Sequence, residues 1–294
     1  MKQTMHDALV LRPGPVVLAG YETSSKPLAD VRGDKGQLEQ SQVLTELQSM
    51  LYAEGAHGSR RRVLLVLQGM DTSGKGGVTN HVVGSVQPIG VQYAAFKKPT
   101  EEELAHDFLW RVRQRLPGPG VIGVFDRSHY EDVLVPRVHR TLTDAELELR
   151  YAAINEFERE ITAAGTTVVK CFLHISYETQ RERLLARVDD PRKRWKFDEA
   201  DLAERALWSH YTLAYEAVLE RCHTDVAPWF VVPADSKKYR NWAVGQLLRE
   251  TLEAMDLHYP QPALDWNEIR ELLTSEAPRP SVGTQEQGDG QGGE

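Results

Sequence analysis

Residues 69–75, GMDTSGK, fit the spacing G-x-x-x-x-G-K, the composition of a loop that wraps phosphate. Glycines let successive backbone N–H groups curl toward one point, and a helix opening at Lys75 adds positive potential there. Lys75 itself supplies a mobile charge that can follow a phosphoryl group. Two features depart from the usual pattern. Its final Ser or Thr, whose hydroxyl holds Mg²⁺, is here Gly76. Asp71 lies inside the loop, where a carboxylate repels phosphate unless a cation stands between them. Asp71 is therefore expected to take over the metal duty of the missing hydroxyl; the competing reading is a solvated turn aspartate.

A second cluster begins at residues 121–126, VIGVFD, an apolar strand with a carboxylate at its tip. Such an aspartate holds Mg²⁺ directly or through water in nucleotide enzymes. Arg127 follows it and cannot lose its charge, which suits a clamp on a phosphoryl group in flight. Glu131, five residues past Asp126, is placed to seat the acceptor or its metal. The alternative for Glu131 is an ion pair with Arg127 or Arg137. Arg187, Arg192, Lys193, Arg194 and Lys196 fall within ten residues, between two helical stretches. A mobile basic lid that excludes water from the transfer fits this cluster better than a solvated face. Lys97 and Lys98 add charge after the second strand, whereas Trp195, Trp208, Tyr211 and Tyr215 read as core or hinge packing.

The elements that must position these groups follow from apolar periodicity. Strands are expected over residues 63–67, 91–96, 121–125, 166–174 and 229–232. Helices are expected over 37–52, 75–86, 101–115, 143–164, 177–188, 198–221 and 237–255, the third opened by a capping box of Thr100 and Glu103. Residues 1–35 read as an irregular arm, and 278–294, rich in Gly, Gln, Glu and Pro, as a disordered tail. Strict alternation gives a five-stranded parallel sheet with right-handed crossovers, whose ligands bind at the carboxyl ends of the strands. The phosphate loop, Lys97, Lys98, Asp126 and the segment after Val232 then meet at one crevice. The catalytic domain is expected over residues 36–260, with the lid over 188–215.

Composition narrows the partners. A net charge of −8 argues against general nucleic-acid binding, so an anionic substrate needs a local basic patch. Cys171 and Cys222 lack metal-ligand spacing and suggest no disulfide framework, which fits a reducing cytoplasm. No apolar run reaches membrane-spanning length and no signal-peptide pattern is present, so no membrane partner is expected.

Four stretches resemble the polyphosphate kinase 2 family. GMDTSGKGG at 69–77 resembles its phosphate loop, DRSHYEDVLV at 126–135 its second motif, and DPRKRWK at 190–196 its lid. APW at 227–229 through VPAD at 232–235, with Lys237, resembles its last strand. With the preceding helix, the resemblance covers roughly residues 30–260. It implies a three-layer α/β, thymidylate-kinase-like P-loop kinase fold. It also implies reversible phosphoryl transfer between inorganic polyphosphate and nucleotides, with Mg²⁺ or, in its place, Mn²⁺.

Carried over by position, Asp71 and Asp126 bind metal and position the acceptor, while Lys75 and Arg127 hold the transferred group. Gly69, Thr72, Ser73, Gly74, Gly76, Gly77 and Glu131 are the phosphate- and nucleotide-binding set, with Glu131 as a further metal ligand. Lys97, Lys98, Arg192, Lys193, Arg194 and Lys196 track the polyphosphate. RSHYEDVLV at 127–135 is similar to the third class, whose members phosphorylate nucleoside mono- and diphosphates. The first class tends to have Trp-Tyr-Asn in place of His129-Tyr130-Glu131; third-class members often have Asn in place of Asp126. The expected assembly is a homo-oligomer, dimer or tetramer. An ATP-dependent kinase and a non-catalytic polyphosphate or nucleotide sensor are the alternatives, separated from the main reading by turnover without added ATP.

Overall fold

The apolar runs at 63–67, 121–125, 166–174 and 229–232 are largely buried on both faces, which is the signature of parallel strands covered by helices, whereas the run at 91–96 is half exposed. The computed structural model describes residues 3–12, 14–29 and 34–275. Its strands are β1 (Arg62–Gln68), β2 (Val91–Ala95), β3 (Ile122–Asp126), β4 (Thr166–His174) and β5 (Trp229–Pro233). They form one parallel sheet in the order β2-β3-β1-β4-β5. Strand β1 is central, and its residues 63–68 are buried throughout. Register aligns Leu67 with Asp126 and Asp126 with Ala95, so β1, β3 and β2 end at one level. The phosphate loop, Arg127 and Lys97 leave the sheet side by side for that reason.

The helices are α1 (Met5–Leu9), α2 (Asp34–Ala56), α3 (Lys75–Val78), α4 (Glu101–Leu104), α5 (Trp110–Arg113), α6 (Glu131–His139), α7 (Asp144–Ala163), α8 (Tyr177–Asp189), α9 (Ala200–Ala206), α10 (Trp208–Arg221), α11 (Lys237–Ala254) and α12 (Trp266–Ser275). Thr100 and Glu103 form the expected capping box. The helix expected over 101–115 is broken into α4 and α5. Asp107 Oδ1 accepts from Leu109 N at 3.0 Å, an Asx-type bond that competes with helical pairing. After the phosphate loop, α3 gives way to a π turn, Thr79–Val83. The stretch expected as one helix over 198–221 divides at Leu207 into α9 and α10.

The arm expected to be irregular is partly ordered and partly core. Met5, Leu9, Leu11, Val16 and Leu18 are buried. Leu11 N donates to Trp229 O at 2.9 Å, and Val10 pairs antiparallel with Phe230. The arm thereby covers the outer edge of β5, which would otherwise expose unpaired strand groups. Glu250 of α11 accepts from Met5 N and His6 N at 2.9 and 3.0 Å.

Met1–Tyr259 form one compact unit and Pro260–Glu294 a second, of which the described part includes α12. Trp266, Leu272 and Leu273 of α12 are exposed. The tail expected to be disordered, 278–294, lies outside the described residues. No helix among the described residues is long and apolar enough to cross a membrane.

Candidate active site

The phosphate loop is held from behind by two arginines. Arg183 of α8 donates to Thr72 O (2.8 Å), Ser73 O (3.0 Å), Ala234 O (2.6 Å) and Asp235 O (2.9 Å). One guanidinium therefore ties the loop to the end of β5. Arg240 of α11 donates to Ser73 O at 3.1 Å, and its guanidinium fills the space beside Gly74 and Gly77. Gly74 has φ +104°, and a Cβ there would collide with that guanidinium; a Cβ on Gly77 would lie 2.7 Å from Arg240 Nη2. These glycines are thus required by a protein side chain as well as by any phosphate. Burial, then Arg183, pull the Arg240 pKa down to about 10.

Lys75 is folded over its own loop, with Nζ 2.8 Å from Gly69 O and 3.4 Å from Met70 O. Burial first, then Arg127, lower its pKa, against the pull of Asp126 and Asp71. An ammonium so poorly solvated is ready to exchange a carbonyl for a phosphate oxygen. Thr72 lines the same cleft, and its buried hydroxyl has no hydrogen-bond partner among the described residues; nor has that of Ser73. Around Gly76, where the usual hydroxyl would stand, a Cβ would meet open space.

At the tip of β3, Asp126 accepts from Tyr93 OH at 3.3 Å. Arg127 takes the left-handed conformation, φ +63°, uncommon for a side-chain-bearing residue. Arg127 Nη1 lies 3.8 Å from Glu131 Oε2, so the ion pair weighed from the sequence is present. With the Gln68 amide turned to satisfy its neighbours, Gln68 donates to Glu131 Oε1 and accepts from Ser128 N, each at 3.1 Å. Burial raises the Glu131 pKa against Arg127 and Lys75. His129 and Tyr130, in the same motif, are fully buried, and Asp132 pairs with Arg111 at 2.8 Å.

The phosphate loop, Asp126 and Arg127 open onto a cleft of about 930 Å³. Nine cations line it: Lys75, Lys97, Lys98, Arg127, Arg183, Arg187, Lys193, Lys196 and Lys237. Two carboxylates face them, Asp71 and Asp126. Arg187 bridges Asp71 at 3.2 Å and Asp201 of α9 at 3.5 Å, which links the loop to the lid. The lid cations divide. Lys193 and Lys196 line the cleft, and Arg192 and Arg194 do not; Asp190 pairs with both Lys193 (2.9 Å) and Arg192 (3.1 Å), and Arg194 donates to Val188 O at 2.7 Å. Trp195, expected as packing, is instead exposed, with Lys196 Nζ 5.0 Å from its ring centre. Tyr215 is buried as expected.

Among the described residues no three His, Cys, Asp or Glu side chains gather as a ready-made metal cage. Glu131 stands apart from the cleft lining that holds Asp71 and Asp126. Two carboxylates suit Mg²⁺, which keeps waters and takes further ligands from substrate phosphates. Sequence reading did not single out Arg183, and it placed Lys237 in the last motif of the resemblance without giving it a site role. Their signals were present: Arg183 lies one helical turn before Arg187, and Lys237 opens the helix after the last strand.

The description "Polyphosphate kinase 2" belongs to the family model that matches residues 29–260. An AMP/ADP-polyphosphate phosphotransferase from Meiothermus ruber is 51% identical over 219 residues, 74% of this chain and 80% of that protein. An ADP-polyphosphate phosphotransferase from Rhodopseudomonas palustris is 41% identical over 260 residues, 84% of this chain and 89% of its own. The crystal structure of a polyphosphate kinase 2 from Arthrobacter aurescens TC1 superposes with a TM-score of 0.90 at 47% identity, covering 93% of this chain and 98% of that one. The matched span contains every side chain that lines the cationic cleft, and the chain belongs to the polyphosphate kinase 2 family.

Proposed function

We propose that this cleft transfers the terminal phosphoryl group of inorganic polyphosphate to nucleoside mono- and diphosphates, making ADP and then ATP from AMP, reversibly. The carrying observation is the charge of the cleft: nine cations against two carboxylates, in a chain whose net charge is −8. A chain of phosphates is the ligand such a wall attracts. The names of the Meiothermus ruber and Rhodopseudomonas palustris relatives support polyphosphate and adenine nucleotides as the substrates.

Phosphoryl transfer needs positioning and charge neutralisation more than covalent chemistry. Lys75 and Arg127 hold the oxygens of the migrating group from two sides. Lys97, Lys98, Lys193 and Lys196 fix the polyphosphate along the wall. The lid, by covering the cleft, keeps water from competing with the acceptor. Mg²⁺, held by Asp71 and Asp126, would supply further neutralisation of phosphate charge. Glu131 is the candidate for seating the shorter, monophosphate acceptor.

The test is to mix the protein with AMP, ADP, GMP or GDP separately, each with polyphosphate and Mg²⁺ and no ATP, and follow all phosphorylated products. ADP and ATP from AMP are expected. Turnover only with added ATP would make the protein an ATP-dependent kinase, and binding without turnover a sensor.

A further inference from the structure

Behind the active site lies a buried ionic network that phosphate chemistry does not account for. Lys170 sits in the middle of β4, and both it and Glu158 of α7 are fully buried. Lys170 Nζ donates to Glu158 Oε2 (2.6 Å), Cys222 O (2.7 Å) and Tyr130 OH (2.9 Å). An ammonium has three donors, and all three are used. Tyr130 OH donates to Glu158 Oε1 at 2.7 Å, and His129 Nε2 lies 3.3 Å from the same oxygen. The Trp229 ring of β5 stands 5.0 Å from the ammonium.

Stability is a weak reason for this arrangement. Taking two charges out of water is costly, and apolar replacements of similar volume are often neutral or stabilising. The acceptors of Lys170 show what else it does. Tyr130 precedes α6, Glu158 lies on α7, and Cys222 closes α10. One ammonium of fixed geometry thus sets three elements against β4. Tyr130 and His129 lie within three residues of Arg127, whose left-handed backbone has to be held by its surroundings. Ser128 Oγ accepts from Tyr130 N at 3.2 Å, which carries the constraint one residue nearer. Helix α10 bears Tyr211 and Tyr215, within electrostatic reach of Arg127 and Glu131. It is also the helix to which the lid returns.

We infer that Lys170 and Glu158 are positioning residues: through Tyr130, His129 and Cys222 they fix Arg127 and the lid-bearing helix relative to each other. The inference rests on the phosphoryl-transfer reading for its kinetic arm only.

Two variants test it. Tyr130→Phe deletes one hydroxyl from the network, and Lys170→Met with Glu158→Leu removes the charges together. The double variant is expected to melt within about 3 °C of the parent. Tyr130→Phe, which strands one buried ammonium donor, should melt several degrees lower but still fold. In both, kcat falls, at least ~5-fold for Tyr130→Phe and ~10-fold for the double variant, the scale of small misplacement. KM for polyphosphate should stay within about twofold, because the cleft cations are untouched. Amide hydrogen exchange over residues 126–135 reads the same displacement without turnover. It should quicken in both variants while β1 stays protected. Parent-like kcat and unchanged exchange in a folded variant would overturn the inference and leave the network as packing. If the double variant does not fold, Tyr130→Phe decides alone. A parent without turnover would reject the functional reading, and the exchange result would still stand for or against this one.

Discussion

At the scale of single residues, the site separates groups that meet phosphate from groups that hold those groups. Asp71 lines the cleft and pairs with Arg187, so to serve the metal role proposed for it Asp71 would have to exchange that partner. Asp71→Asn is expected to lower turnover by at least ~100-fold, the scale for losing a transition-state electrostatic contact. A parallel titration of Mg²⁺ should show that excess metal does not restore the rate. Glu131 makes a subtler case. Burial raises its pKa and Arg127 offsets only part of that, and a monophosphate acceptor needs help to reach the donor. Glu131→Asn should lose AMP phosphorylation at least ~10-fold more than ADP phosphorylation in kcat/KM, about 1.4 kcal/mol of differential stabilisation. Equal losses on both acceptors would make Glu131 a partner for Arg127 alone. The sequence made these residues legible because loop and strand-tip carboxylates stand in local patterns. It could not announce Arg183, Arg240 or Lys170, whose partners lie 51, 167 and 12 or more residues away in the chain.

Among elements, the lid is where the structure refines the reading most. Four cations within five residues looked equivalent; Lys193 and Lys196 line the cleft, Lys193 while pairing with Asp190, whereas Arg192 and Arg194 lie on local acceptors outside it. Lys193→Ala with Lys196→Ala should raise KM for polyphosphate several-fold, on the order of 1 kcal/mol of lost contact. Arg192→Ala with Arg194→Ala should leave it within about twofold, and steady-state kinetics on both pairs checks the division. Strand order and helix alternation were legible because apolar runs have their own period. The break at Asp107 and the division at Leu207 were not, since each is set by one local backbone choice inside a helix-like pattern. The core network adds a pH dependence. Burial works against the Glu158 carboxylate, but Lys170 and the hydrogen bond from His129 prevail and hold its pKa below the ordinary 4.5. The stability it contributes is complete above that value and is lost as the pH falls through the lower, folded one. Thermal melts should therefore show the parent losing stability more steeply between about pH 5 and 3 than the Lys170→Met, Glu158→Leu variant.

For the whole molecule, the asymmetry of charge matters most. The chain carries −8 overall, yet its cleft is strongly cationic, so the rest of the surface repels what the cleft attracts. A polyanion is guided to one place. The value of kcat/KM for polyphosphate should fall steeply as salt is raised from about 50 to 500 mM, while kcat at saturation changes little. Rates measured with short and long polyphosphate across that range would check it, the longer chain showing the larger loss. The two edges of the sheet differ as well. The arm covers β5, a closure that weak periodicity in residues 1–35 hid from sequence reading, because its apolar residues are spaced for one strap and not for a repeating face.

The seat that Arg240 provides for the phosphate loop also sets an order in time. Ser73 and Arg240 are separated by 167 residues. A ribosome adding ~5–20 residues per second completes the loop roughly 8–33 s before the side chain that seats it has been made. During that interval the nascent chain carries its phosphate motif without this buttress, and a chain that stops between Arg183 and Arg240 keeps all the glycines and one of the two arginines that hold the loop, but nothing to fill the space beside Gly74 and Gly77.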